Sequence, residues 1–275
     1  MRLDMHSHYT ASDGQYSPSE LVRHACEKTL EIFAITDHDS VSGLEEGEKE
    51  AKKNNLRFIP GIEISAMENE EIHVLGYEID YGNELILNCC EYLRNSRLYR
   101  GDRICDFLRS KGIDIDIDSI REIAGDSNLG RPHFARYLID TGYVSDRKEA
   151  FDKYLDTPEF LEATRCKLPT IPQSIDIIHS AGGKAVLAHP AFIHKTDNEL
   201  EGMIARLKEY GLDGIECFYS KHKKNQVDFY LVLAYKYNLK TFCGSDFHGE
   251  NVKEDVALGM EFDMERYGDI FILQL

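Results

Sequence analysis

The chain has 275 residues, 42% of them hydrophobic and 29% charged, and a formal net charge of −17. This length predicts one large domain or a domain carrying an insertion, while the acidic balance argues against sequence-independent binding of long nucleic acid, which relies on a positive surface. No uncharged apolar run approaches the roughly 18–20 residues needed to span a bilayer, and seven cysteines without a Cys-x-x-Cys pair argue against a disulfide framework or a thiolate zinc site and for a reducing cytoplasm.

The first expected element is a strand at Arg2–His6, which leaves no room for a signal peptide. Residues two apart in a strand share a face, so Asp4, His6 and His8 are expected toward a barrel mouth, with Leu3 and Met5 turned toward helices. The loop His8-Tyr9-Thr10-Ala11-Ser12-Asp13-Gly14 can bring Asp13 back beside the two imidazoles. A helical pattern covers Ser19–Lys28, and a second strand, Glu31–Thr36, runs into Asp37-His38-Asp39. One of those aspartates is expected to cap the following helix, Leu44–Asn54. The third strand, Leu56–Ile64, holds Glu63 in an apolar run, where a carboxylate is costly unless paired, protonated or bound to a cation. The fourth, Glu71–Tyr77, holds His73, a ligand or a hydrogen-bonded core imidazole.

Between about Asn83 and Pro169 the patterns are helical only: Glu84–Lys111, Ile117–Ala124, Arg131–Thr141 and Arg147–Leu155. We expect residues 94–168 to form an α-helical insertion over the barrel mouth, with helices packed outside the barrel as the alternative. The barrel itself would then comprise residues 1–93 and 169–275. Strands are expected again at Lys184–Ala188, Asp213–Phe218 and Leu239–Gly244, with helices at Pro172–Ala181, Glu199–Tyr210 and Gln226–Tyr237. Strands alternating with helices predict parallel βα units, and seven of them suggest a barrel, though an open sheet shares the local signature.

Nine residues of metal-ligating type recur, mostly near strand ends: His6, His8, Asp13, His38, Glu63, His73, His189, Asp246 and His248. Singly, each has a bland reading as a surface or core residue. Their repetition in one structural context predicts a metallohydrolase site assembled at the rim of a barrel. Imidazoles and carboxylates without thiolate suit Mn²⁺, Fe²⁺ or Zn²⁺. Nine ligands exceed what one ion uses, implying two or three, which can share a nucleophilic hydroxide and stabilise charge on a phosphoryl or carbonyl oxygen.

His6-Ser7-His8 with Ser12-Asp13-Gly14, Ile35-Thr36-Asp37-His38-Asp39, Gly61-Ile62-Glu63, His73, Ala188-His189-Pro190 and Ser245-Asp246-Phe247-His248 together resemble the motifs of the PHP (polymerase and histidinol phosphatase) superfamily. The resemblance implies an α/β fold, a distorted (β/α)₇ TIM-like barrel with a trinuclear metal centre. By that likeness His6, His8, Glu63, His73 and His189 bind two ions, with Glu63 bridging. Asp13, His38 and His248 hold a third, and Asp246 bridges or ligates.

Gly130-Arg131-Pro132-His133-Phe134-Ala135-Arg136 resembles a segment of bacterial PHP phosphoesterases that act on nucleotides. These include the nucleoside 3′,5′-bisphosphate phosphatases and the RNase AM type of 5′→3′ exoribonuclease. Arg131 offers a planar fork for a phosphate and His133 a second donor. His222 stands where the family places another substrate-side histidine. Cys166-Lys167-Leu168-Pro169-Thr170-Ile171 departs from the Lys-Gly-x-Pro-Ala-Tyr-Val-like stretch of relatives, which leaves contacts from Arg165 or Lys167, and with them the detailed substrate preference, open.

The implied activity is hydrolysis of the 3′-phosphate of a nucleoside 3′,5′-bisphosphate by a metal-bound hydroxide. Asp246 and His248 are candidates to protonate the leaving oxygen. The implied partner is a small phosphorylated substrate, with no long nucleic acid and no membrane. Alternatives are exoribonuclease action on short 5′-phosphorylated RNA, histidinol-phosphate phosphatase, and a non-catalytic PHP binding module.

Overall fold

The computed structural model describes residues 1–125 and 129–273. Its strands are β1 (Arg2–Asp4), β2 (Ile32–Ile35), β3 (Arg57–Met67), β4 (Glu71–Tyr77), β5 (Lys184–Leu187), β6 (Gly214–Tyr219), β7 (Lys240–Gly244) and β8 (Met260–Glu261). The helices are α1 (Pro18–Glu27), α2 (Leu44–Lys53), α3 (Glu84–Ser110), α4 (Ile117–Ala124), α5 (Arg131–Asp140), α6 (Arg147–Ala150), α7 (Pro158–Ala163), α8 (Ile171–Ser180), α9 (Asp197–Glu209), α10 (Lys224–Lys236) and α11 (Met264–Tyr267). All seven expected strands form, and one sheet runs in the order β7-β6-β5-β4-β3-β2-β1-β8.

The sheet curls into a distorted (β/α)₇ barrel. Beyond the regular pairs, Met5 N–H donates to Cys243 O (3.2 Å), His8 N–H to Phe247 O (2.9 Å) and Asp246 N–H to His6 O (2.9 Å). These bonds join the C-terminal ends of the first and seventh strands. A Cβ on Gly244 would lie 2.3 Å from the Cβ of His6, so the join needs glycine there.

The expected parallel βα units have an exception at β4, which is antiparallel to both β3 and β5. Only Glu68, Asn69 and Glu70 separate β3 from β4, and a connection that short builds a hairpin, not a crossover. β8, two residues long and antiparallel to β1, carries no periodic signal.

Two apolar layers build the barrel. Outside, Leu21, Val22, Leu44, Ile175, Ile178, Met203, Ile204 and Leu233 of the helices pack on Phe33, Ile62, Ile64, Val74, Leu187 and Ile215. Inside, Leu3, Met5, Ile32, Ala34, Ile59, Leu75, Tyr77, Val186 and Phe242 form a floor, and Tyr77 Oη–H donates to Met5 O (2.8 Å). Leu3 and Met5 therefore face the interior, not the helices. Regular alternation stops at Asp4, whose carboxylate accepts from Ser245 N–H (2.9 Å) and Gly259 N–H (2.8 Å), tying β1 to the segments after β7.

Helices α3 to α7 carry their own cluster, including Ile104, Leu108, Ile120, Phe134, Leu138, Leu155 and Phe160. The 27-residue α3 belongs to both cores. Its Ile86, Cys89 and Leu93 pack with the barrel, while Ile104, Cys105, Phe107 and Leu108 pack with the other helices. Neither Asp37 nor Asp39 caps α2. Its N-cap is Gly43, because Asp39 is engaged by Ser65 N–H (2.7 Å) and Arg97, and Asp37 by Tyr9 N–H (3.2 Å) and Ser12.

Candidate metal centre

Above the interior floor, all nine sequence-predicted donors converge on Glu63 or its neighbours. Glu63 Oε2 lies 3.0 Å from His38 Nδ1 and 3.2 Å from both His6 Nε2 and His8 Nε2. Its Oε1 lies 2.9 Å from His73 Nδ1 and 2.9 Å from His189 Nε2. Asp246 Oδ1 is 3.1 Å from His8 Nε2 and 3.6 Å from His6 Nε2. Asp13 Oδ1 is 3.3 Å from His248 Nε2.

Local backbone makes this convergence possible. His6 and His8 project from the chain just past β1, and the turn holding Asp13 lies against them because residue 14 is glycine: a Cβ there would meet His8 O at 2.4 Å. His189 (φ 25°) and Asp246 (φ 60°) both hold the left-handed region that L-residues avoid. Such strain persists only where the surroundings enforce it, and it clusters at functional sites.

The donors fit divalent ions. His6 Nε2, His8 Nε2 and Glu63 Oε2 are buried and have no hydrogen-bond partner among the described residues, although they stand close together. Neighbouring ligand atoms about 2.0–2.2 Å from one ion are separated by roughly 2.8–3.6 Å in octahedral or tetrahedral geometry. The spacings among His6, His8, Glu63 and Asp246, 3.1–3.6 Å, fall in that range. A second group, His8, Asp13, His38 and His248, and a third, His38, Glu63 and His73, also place their donor atoms within 4.8 Å of one another.

Charge within the cluster is strongly coupled. Burial opposes ionisation of Glu63, but the imidazoles of His38, His6 and His73 outweigh it and hold the carboxyl well below its usual range. Asp246 is likewise held low against burial, by Lys253, His248 and His6. Conversely, burial works against protonated His6 and His73, yet Glu63 and neighbouring carboxylates raise each to about 10. Protons on these imidazoles balance the carboxylates when cations do not. His248 goes the other way, pushed down to about 4 by burial and by the charges of His8 and Lys253.

Several supporting residues escaped the sequence reading. Glu216 Oε1 is 2.9 Å from His6 Nδ1, and its Oε2 accepts from His189 N–H (2.6 Å). With the Nδ1 proton of His6 directed at Glu216, its Nε2 is left as the coordinating atom. His248 Nδ1 is similarly 2.9 Å from its acceptor, Asp246 O. Asp37 Oδ1 is 3.4 Å from His8 Nδ1. Asp246 Oδ2 accepts from Tyr219 Oη–H (2.9 Å) and Lys253 Nζ (2.7 Å). Glu216 carried the same signal as Glu63, a carboxylate inside the apolar run Gly214-Ile215-Glu216-Cys217. Lys253, in a polar loop, carried none.

A cavity of about 720 Å³ opens over the cluster, lined by His38, His73, His189, Asp246 and Lys253 from the barrel and by Arg100, Arg131, Asp156, Leu161 and Arg165 from the helical stretch. Of the residues expected on the substrate side, Arg131 is in this wall, paired with Asp156 (2.8 Å). His133 is not in the wall: its Nδ1 accepts Gly130 N–H (3.1 Å) at the start of α5. Nor is His222, which packs between Tyr219 and Tyr230 with Nδ1 3.1 Å from Cys217 O.

Residues 2–156 match the PHP domain family model. The chain is 35% identical over 253 residues to a protein of Escherichia coli K12 named 5′-3′ exoribonuclease Rnm, covering 89% of this chain and 84% of the relative. It is 30% identical over 248 residues to a 3′,5′-nucleoside bisphosphate phosphatase of Chromobacterium violaceum, covering 90% and 87%. A solved structure from Bifidobacterium adolescentis, described as a metal-dependent phosphoesterase, superposes with a TM-score of 0.83 at 28% identity, covering 98% of this chain and 94% of that one.

Proposed function

The chain belongs to the PHP domain family, and from that premise we propose that it removes the 3′-phosphate of nucleoside 3′,5′-bisphosphates, leaving the 5′-monophosphate. It is a metal-dependent phosphoesterase. The observation that carries the reading is the set of buried, partnerless donor atoms of His6, His8 and Glu63 beneath a cavity wide enough for a nucleotide. The relative from C. violaceum, named for this activity, supports the choice of substrate.

In this reading His6, His8, Glu63, His73 and His189 would hold two ions, Asp13, His38 and His248 would hold a third, and Asp246 would serve as a further ligand. Two or three ions of Mn²⁺, Fe²⁺ or Zn²⁺ supply a water made nucleophilic at neutral pH and positive charge opposite the phosphoryl oxygens. The residues of the chain orient and enclose. Glu216 holds His6 and His189 in place, and Tyr219 and Lys253 fix one oxygen of Asp246. Arg131 holds the retained 5′-phosphate. Phe192, Leu161, Pro158 and Ile72 give the cavity an apolar flank suited to a nucleobase.

Asp246 and His248 suit ligation better than proton donation. A carboxyl held well below its usual range and an imidazole pushed down to about 4 have no proton to give at neutral pH. His133 and His222 would reach a substrate only by rotating from the bonds that now hold them. Residues 94–168 form, in this view, the insertion that roofs the site, and the setting is cytoplasmic, in keeping with seven free thiols.

Exoribonuclease action on short 5′-phosphorylated RNA is the second reading, favoured by the name of the E. coli relative. A phosphate- and nucleotide-release screen with Mn²⁺ decides between them. Fastest release of phosphate from nucleoside 3′,5′-bisphosphates is expected. Release of mononucleotides from short RNA at a greater kcat/KM moves the assignment to the second reading, and activity on histidinol phosphate alone overturns both.

A further inference from the structure

We propose that Lys253 is a substrate-binding residue, a fixed ammonium that holds a non-bridging oxygen of the phosphoryl group beside Asp246. The proposal rests on the phosphoesterase reading above and concerns a residue that none of the sequence motifs includes.

The two oxygens of Asp246 have separate surroundings. Oδ1 faces the donor nitrogens, 3.1 Å from His8 Nε2 and 3.6 Å from His6 Nε2. Oδ2 faces away from them and accepts from both Tyr219 Oη–H (2.9 Å) and Lys253 Nζ (2.7 Å). The phenol alone can fix the carboxylate's rotation. Adding a lysine for that purpose brings the entropy cost of ordering a long side chain and the partial desolvation of an ammonium left 27% exposed. What the lysine adds is positive charge at the cavity wall, where it lines the same space as His73, His189 and Asp246. An ammonium has three N–H donors, and Asp246 is its single hydrogen-bond partner among the described residues.

The loop carrying Lys253 is also built to hold position. Val252 N–H and Lys253 N–H both donate to Gly249 O, at 3.0 and 2.9 Å. From α6, Arg147 Nη1 reaches across to Val252 O (2.8 Å), and Lys221, after β6, pairs with Asp255. The segment is thereby pinned from the helical stretch on one side and from the barrel on the other. Two other cations of the wall, Arg100 and Arg131, differ: they are matched by Glu71 (3.0 Å) and Asp156 (2.8 Å), carboxylates outside the three candidate ligand groups. The carboxylate facing Lys253 is one whose charge the ions would share. Once they do, the ammonium's pull on a phosphoryl oxygen is less opposed.

The test uses the full chain reconstituted with Mn²⁺, with inorganic phosphate as the binding probe. Calorimetric affinity for phosphate, kinetics on a nucleoside 3′,5′-bisphosphate and metal content by elemental analysis are measured for wild type, Lys253→Met, Lys253→Gln and Lys253→Arg. Loss of a charge-assisted hydrogen bond predicts a fall of about ten- to a hundredfold in phosphate affinity and kcat/KM for the Met and Gln variants. Metal content should stay at the wild-type level, and Lys253→Arg should recover part of the loss. Gln keeps a donor without the charge, so failure of Met to fold would leave the comparison intact. Unchanged phosphate affinity in both neutral variants overturns the proposal. So does loss of activity in proportion to lost metal, which would make Lys253 a positioning residue for Asp246. If wild type bound phosphate but released none from any ester, the functional reading would fail while the affinity comparison still decided the role of Lys253.

Discussion

Replacing Glu216 by glutamine tests whether the centre depends on a carboxylate outside the candidate ligand groups. Glu216 faces two donors: His6 Nδ1 at 2.9 Å and the backbone N–H of His189 at 2.6 Å. A carboxylate accepts from both. A glutamine accepts with one oxygen and presents an NH₂ to the other partner. Because a backbone N–H cannot change its role, the amide oxygen stays with His189 and the NH₂ turns toward His6. That imidazole then relieves the clash of two donors by moving its proton to Nε2, the atom 3.2 Å from Glu63 Oε2. A protonated Nε2 does not ligate. Losing such an outer partner typically costs ten- to a hundredfold in metal affinity, about 1.4–2.7 kcal/mol. Chelator-competition titration with Mn²⁺ should show that loss for Glu216→Gln, and saturating Mn²⁺ should recover most of the activity. A folded variant with wild-type Mn²⁺ affinity would refute the argument from tautomer control.

Three further outcomes are expected. Glu63→Ala removes the carboxylate shared by five imidazoles. It should lower phosphate release by about a thousandfold or more, the several kcal/mol that such a centre supplies, with fewer ions per chain by elemental analysis; wild-type activity would contradict the proposed centre. Phe192→Ala should raise KM for a nucleoside bisphosphate by about fivefold or more, from lost base stacking, while leaving ribose 3,5-bisphosphate little changed. Equal effects on both would remove the nucleobase from the apolar flank. In the ion-free protein, His6 and His73 titrate near 10 instead of 6.5. Their contacts with Glu63 therefore stabilise fully below about pH 6.5, and that stability is lost as pH rises toward 10. Mn²⁺ must displace those protons, so the increase in Tm that it produces should grow over the same window. An ion-free Tm that climbs from pH 6.5 to 10 would contradict the charge pattern.

The sequence made the donors legible because their chemistry is out of place among apolar neighbours. Glu63 sits in Gly61-Ile62-Glu63-Ile64 and His189 ends Val186-Leu187-Ala188. The same reasoning reaches Glu216, whose strand reads just as apolar, but its role depends on which imidazole it meets across 210 positions of sequence. Strand direction was less accessible. Periodicity reports which residues share a face but not which way a strand runs, so reversal of β4 showed only in the three-residue link before it. The side of the sheet taken by Leu3 and Met5 was misread because alternation assumes a regular strand, and β1 ends at Asp4. Lys253 stayed hidden because an exposed loop and a site wall have the same composition.

A chain of net charge −17 acts on an anion only if its site differs in charge from its surface. The cavity wall alone does not provide this. Arg100, Arg131, Arg165 and Lys253 meet five carboxylates, Glu70, Glu71, Asp156, Glu162 and Asp246, and two of the arginines are already paired. Without ions the wall is near neutral once the proton on His73 is counted, and beneath it protonated His6 offsets Glu63. Divalent ions replacing those protons would make the charge positive where the phosphoryl group would sit, and would do so locally. Farther out, at distances beyond about 8–10 Å, salt screens the surface, so a small nucleotide enters at little cost. A long polyanion would lie against the acidic exterior over many phosphates and would be disfavoured. On the proposed function, the charge distribution is expected to select by substrate length as well as by chemistry. The same selection should weaken as ionic strength rises: activity on longer RNA should gain relative to activity on mononucleotides. A ratio independent of salt would show that the walls of the cavity, not the exterior field, set the length limit.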